Sequence, residues 1–261
     1  MGMIRAGRGQ LVALGIAVVV LALIAKVTYL VVPLEQFAVG GQPVPASVAA
    51  MPRWQLAAGN ALFVLIPYGL LALAGYWFAR RLELPPMFRE GAGWRVWVFW
   101  PMLLGLGIGV VLVIGDQILA RLGSSHGFQH PEFPLSLFAS GSAGIGEEII
   151  FRGFVMSLWA FLLKLVLRSG NGRTAALWIG NVIAALAFSA SHLPATMLLL
   201  NATSVAQIPA STLIELFLLN SLLGVVAGWK FMRDGLVTAM GVHFWADILW
   251  HVIWPLLGIG I

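Results

Sequence analysis

Two adjacent glutamates and an arginine stand inside an apolar run, in Gly146-Glu147-Glu148-Ile149-Ile150-Phe151-Arg152-Gly153. Charged side chains at membrane depth cost several kcal/mol each unless paired or hydrated, so three within six residues mark a functional site. On a helix, Glu148 and Arg152 are four apart and pair along one face. Glu147 points about 100° away from Glu148. The expected division is that Arg152 neutralises Glu148 and fixes the helix, leaving Glu147 to face a cavity. The plainer alternative is a buried ion-pair cluster that locks two helices together.

Further polar residues interrupt other apolar runs. Phe188 and His192 share a face, and Pro194 ends or bends the helix just beyond. His243 and Asp247 lie one turn apart in the last run, where an aspartate needs a partner and an imidazole is a natural one. His251 continues that stripe, nearer the end, and is expected to reach the interface. Asn181 and Asn220 read as interhelical hydrogen-bonders. Asp116 and Lys26 lie close enough to run ends to be solvated, and Glu215 is a candidate for the same cavity. Gly105-Leu-Gly-Ile-Gly109 reads as close helix packing, since the strand–turn–helix setting of a dinucleotide fold is lacking. Two glutamates, two histidines and an aspartate on three separate segments make a polar pocket if a bundle unites them. Such a set suits general acid–base hydrolysis by activated water. Glu, His, His and Asp also make a chemically possible zinc shell.

The elements that must position these groups are membrane helices. The chain has 261 residues, 60% hydrophobic and 10% charged, where a soluble globular protein carries about 25% charged residues. Apolar runs fall near 11–32, 56–79, 97–120, 134–163, 175–192, 210–229 and 236–258. Each is near the roughly 20 residues a helix needs to cross the hydrocarbon core. The run at 134–163 is long for one span and contains Pro134 and Ser-Gly-Ser-Ala-Gly at 140–144, so a broken helix or two shorter ones is expected there. The fold class is therefore all-α, a polytopic transmembrane bundle of seven or eight spans. It forms a single integral membrane domain over 1–261, with the motif-bearing core at about 134–250. Neither a linker nor an internal repeat stands out.

The net charge is +5, and its placement reads as topology rather than nucleic-acid binding. Arg5 and Arg8 precede the first span. Arg80, Arg81, Arg89 and Arg95 lie in the second loop, Lys164, Arg168 and Arg173 in the fourth, and Lys230 and Arg233 in the sixth. The intervening loops hold Arg53 and Arg121. The positive-inside rule puts the N-terminus and the even loops in the cytoplasm of a multi-pass cell-membrane protein. The first run resembles a signal-peptide core, but no small-x-small cleavage site follows it, so it reads as a retained anchor. Ala6 stands where a myristoylation signal needs Ser or Thr. The chain has no cysteine, which excludes disulfides, thiol nucleophiles and thiolate zinc sites.

Taken in order, Glu147-Glu148-x-x-x-Arg152, Phe188-x-x-x-His192 and His243-x-x-x-Asp247 resemble the three motifs of the CAAX protease and bacteriocin-processing (CPBP) family. These are glutamate-type intramembrane proteases that include the type II CAAX prenyl endopeptidases. Gly235-Leu236 and Ala239 also resemble the family's lead into the third motif. The resemblance implies that Glu147 activates water, that His192 positions it, and that Glu148 and Arg152 support the site. It also implies that His243 and residue 247 stabilise the oxyanion, a role for hydrogen-bond donors. The eukaryotic pattern has asparagine in the last place. Asp247 must therefore be protonated, orient His243, or take another role. The implied substrate is a peptide or lipidated protein within the bilayer, hydrolysed without a cofactor or a metal ion.

Other chemistries fit less well. A serine protease would need a nucleophile elbow around Ser140, Ser142, Ser189 or Ser191, and none is present. An aspartyl protease would have to use Asp116 and Asp247. No His-Glu-x-x-His occurs. A transporter or a non-catalytic immunity protein could also hold intramembrane Glu and His, but the paired broken helices that favour transport are not evident.

Overall fold

The computed structural model describes residues 2–38, 43–124, 130–167 and 170–258, with the backbone alone over residues 2–6. Arg168 and the side chain of Arg5, part of the charge pattern above, lie outside the described residues. Among the described residues, seven helices are long and apolar enough to span a membrane. They are α1 (Gly7–Val31), α2 (Arg53–Arg81), α3 (Arg95–Arg121), α4 (Leu135–Val166), α5 (Gly172–Leu199), α6 (Ala210–Asp234) and α7 (Leu236–Leu256). The chain is an all-helical, multi-pass membrane protein. In lipid each backbone N–H and C=O must be satisfied within the segment, and these apolar runs form helices for that reason.

α4 and α7 sit at the centre. α4 packs against α1, α2, α5 and α7, while α7 packs against α3, α4 and α6. α7 is the most buried of the seven and α2 the least. Small residues bring these helices together. A Cβ at Gly105 would lie 2.5 Å from the Val242 carbonyl oxygen, and one at Gly109 would lie 2.8 Å from Leu249 Cβ. Gly105 and Gly109 are thus the α3–α7 contact expected of that sequence, whereas Gly107 faces open space. Gly105→Ala is expected to cost about 1–3 kcal/mol by overpacking. The melting temperature of the purified protein in detergent should fall, with Gly107→Ala as a silent control.

The 134–163 run is one continuous helix, not two. Its Ser-Gly-Ser-Ala-Gly segment stays helical: Ser140 Oγ is satisfied within the helix by the Ser136 carbonyl (2.8 Å), and Gly144 lets Phe244 of α7 approach. The extra length is taken up instead by a π-helical stretch, Ile149–Met156. The turn between α6 and α7 is Gly235 alone, at φ +99°. A side chain there would strike the Met87 backbone at 2.6 Å, so glycine is required both for its φ and for space.

Candidate active site

The approach of α4 to α7 decides which charges meet. A Cβ at Gly144 would lie 2.9 Å from Phe244 Cβ, so the two backbones nearly touch one turn before the glutamates. Glu148 then reaches His243, whose Nδ1 lies 2.8 Å from Glu148 Oε1. The same oxygen lies 3.1 Å from Arg152 Nη1, in the i,i+4 pair that the spacing predicts. Glu148 and Arg152 are fully buried. The Arg152 contact is ionic, at a poor hydrogen-bond angle, and its nitrogens make no hydrogen bond among the described residues. Its guanidinium also lies 4.7 Å from the centre of the Phe188 ring. Gly224 on α6 makes the room, since a Cβ there would come within 2.9 Å of Arg152 Nη2.

His243 joins the carboxylates. With Nδ1 held by Glu148, its Nε2 lies 3.6 Å from Glu147 Oε2 and 3.5 Å from Asp247 Oδ2. Both distances are long for hydrogen bonds, so Nε2 remains available. The Glu147 side chain is 30% exposed, in contrast to its buried neighbour. Two π-helical stretches flank this cluster, Ile149–Met156 directly after Glu148 and Ile248–Ile253 directly after Asp247. Single π turns recur at functional sites because they re-aim side chains without breaking a helix.

α5 brings the second motif. Its regular helix ends at Ser191 and resumes at Leu193 with Pro194 in the first turn, leaving His192 at the joint. His192 Nδ1 lies 2.9 Å from the Phe188 carbonyl oxygen. A carbonyl only accepts, so Nδ1 carries the proton and Nε2 has a free lone pair. The Phe188 ring packs edge-on against His192, His243 and Phe151, at 5.0, 5.4 and 5.4 Å between centroids. Phe188 therefore spaces the two histidines and lids the buried arginine.

Glu147, His192, His243 and Asp247 all line one cavity of about 200 Å³. His251 lines this cavity as well, with its Nδ1 3.0 Å from His130 Nδ1 in the α3–α4 connection. Outside the spans, burial lowers the pKa of His130, with Asp116 acting against it. A neutral ring suits a close contact with a second imidazole. Among the described residues, the Asn220 amide donates to the Leu216 carbonyl of its own helix (2.8 Å) rather than to a neighbouring helix, and Asn220 lines the cavity. Glu215 does not line the cavity; it is fully buried and accepts a hydrogen bond from Ser124 Oγ. Asn181 does bridge helices, donating to the Val225 carbonyl of α6 at 3.0 Å. The stripe His243, Asp247, His251 was the signal for His251. Nothing in the sequence pointed to Asn220 or Ser140 as cavity walls.

The arrangement offers a carboxylate and an imidazole open to one cavity, with a second imidazole held by a buried ion pair. That set can accept a proton from water and donate hydrogen bonds to a developing anion. Among the described residues, no three His, Cys, Asp or Glu side chains are arranged to hold a metal ion. No curated protein and no solved structure matches the chain. Residues 129–249, which contain all three motifs, match the family model described as Type II CAAX prenyl endopeptidase Rce1-like, the kind of membrane protease that the motifs resemble.

Proposed function

We propose that the chain is a glutamate-type intramembrane endopeptidase that hydrolyses a membrane-associated peptide with a water molecule activated by Glu147, without a metal ion. The observation that carries this reading is the unequal pair of glutamates. Glu147 is open to the cavity, while Glu148 is buried between Arg152 and His243. Glu147 takes a proton from water, and the water oxygen attacks the scissile carbonyl carbon. His192 Nε2 accepts a hydrogen bond from the same water and orients it. The carbonyl oxygen becomes an oxyanion facing His243 Nε2–H and a protonated Asp247. The carbon–nitrogen bond breaks as Glu147 returns its proton to the leaving amine. Glu148 acts through His243, holding its Nδ1 and so aiming Nε2.

Purified protein in liposomes, mixed with membrane proteins from the same source, should generate new N-termini at defined peptide bonds. An unchanged set of N-termini would contradict the reading. The metal-free mechanism has its own test. A catalytic zinc usually takes three protein ligands and one water, and Arg152 would place a cation next to that dication. Activity should survive exhaustive chelation, with substoichiometric metal by elemental analysis. Stoichiometric zinc, with activity lost on its removal and restored on its return, would make Glu147, His192, His243 and Asp247 the candidate ligands.

A further inference from the structure

The cavity has a direction relative to the charges at the two ends of the bundle. The end where α2 leads to α3, α4 to α5 and α6 to α7 carries Arg80, Arg81, Arg89, Arg95, Arg173 and Arg233. Arg8, at the start of α1, lies at the same end. The opposite end carries Lys26, Arg53 and Arg121, and acidic residues stand at both ends, Glu83, Glu90 and Asp234 at the first and Glu35, Asp116, Glu132 and Glu215 at the second. The basic end faces the cytoplasm by the positive-inside rule.

α4 runs from the basic-poor end to the basic end, and α7 runs back. The α4 residues lining the cavity, Ala139, Ser140 and Ala143, all precede Glu147. The α7 residues beyond the motif, Trp250 and His251, follow Asp247, and Pro131 of the α3–α4 connection completes the wall. Each wall therefore extends from the carboxylates toward the basic-poor end. On the other side the floor is closed by Arg152, Glu148 and Phe188, all buried.

We infer that the cavity opens away from the cytoplasm, so that the substrate is a peptide segment of a membrane-anchored protein presented at the extracytoplasmic side of the bilayer. This rests on the peptidase reading above, and it sets this chain apart from an enzyme that trims cytoplasmic C-terminal tails. The absence of cysteine makes the test direct, since single cysteines can be introduced into the full chain with no background. Glu132→Cys lies at the basic-poor end, Ala139→Cys and Ala143→Cys lie on the cavity wall, and Glu90→Cys lies at the basic end. In sealed spheroplasts a small, charged, membrane-impermeant thiol reagent should label Glu132→Cys and at least one of the two wall variants to completion. Glu90→Cys should stay unlabelled until lysis. The reverse pattern would overturn the proposal, as would wall variants that need lysis or never react while Glu132→Cys reacts. If cleavage depends on Glu147 but the labelling fails, the sidedness alone falls. If the labelling holds but a folded Glu147→Gln still cleaves, the assignment of Glu147 in the peptidase reading alone falls.

Discussion

Glu147→Gln is expected to lower turnover by at least about 10²–10⁴-fold, the usual contribution of a positioned general base, and to leave the fold intact. Glutamine keeps the volume and the hydrogen-bonding reach of glutamate but cannot take a proton from water. The Glu147 side chain is 30% exposed and its contact with His243 Nε2 is long, at 3.6 Å, so the substitution leaves no tightly paired buried charge without its partner. Single-turnover cleavage and a thermal melt of the same preparation separate the two effects. Retained cleavage by a folded Glu147→Gln protein would remove this residue from the chemistry. The matching change at Glu148 should behave differently. Glu148→Gln removes the charge that balances Arg152 and the acceptor that aims His243, so stability and rate should fall together.

The second large effect is expected at Arg152. Arg152→Ala leaves Glu148 buried with its oxygen facing only His243. Breaking one partner of a buried pair costs about 3–5 kcal/mol, a large share of the 5–15 kcal/mol that typically holds a domain folded. It also removes the cation 4.7 Å from the Phe188 ring and empties the space next to Gly224. Folded yield after gel filtration should drop sharply, with a depressed melting temperature in what survives. Arg152→Lys should recover part of the yield, because it restores the charge without the planar fork. A variant with alanine at 152 that folds and melts like the wild type would show that the pair does not support the site.

The sequence made some of this legible and hid the rest, for physical reasons. Hydropathy alone locates seven helices, because a segment in lipid must satisfy its own backbone. Spacing within one helix gives the Glu148–Arg152 pair and the separate direction of Glu147. Periodicity says which residues share a face, but not which neighbouring helix that face meets. For that reason the 2.8 Å contact between Glu148 and His243 could not be read in advance. His243 was matched to Asp247, its neighbour on the same helix, while its closest partner stands on another. Glu215 was hidden in the same way: its partner Ser124 follows the end of a different helix. The expected break at 140–144 rested on helix propensity in water. Glycine and serine instead serve as close-approach residues when helices pack in a membrane, and the irregularity moved to the π-helical stretch after Glu148.

Hydrolysis by water that Glu147 activates is tested most directly by cleavage in ¹⁸O-labelled water. After a single turnover, the new C-terminal carboxyl group should carry one ¹⁸O atom per bond cut, and the peptide containing Glu147 should remain unlabelled. A product without label would mean that the acyl group passes to a nucleophile other than water. Label in the Glu147 carboxylate would mean that this residue attacks the peptide carbon itself, and either result would contradict the mechanism.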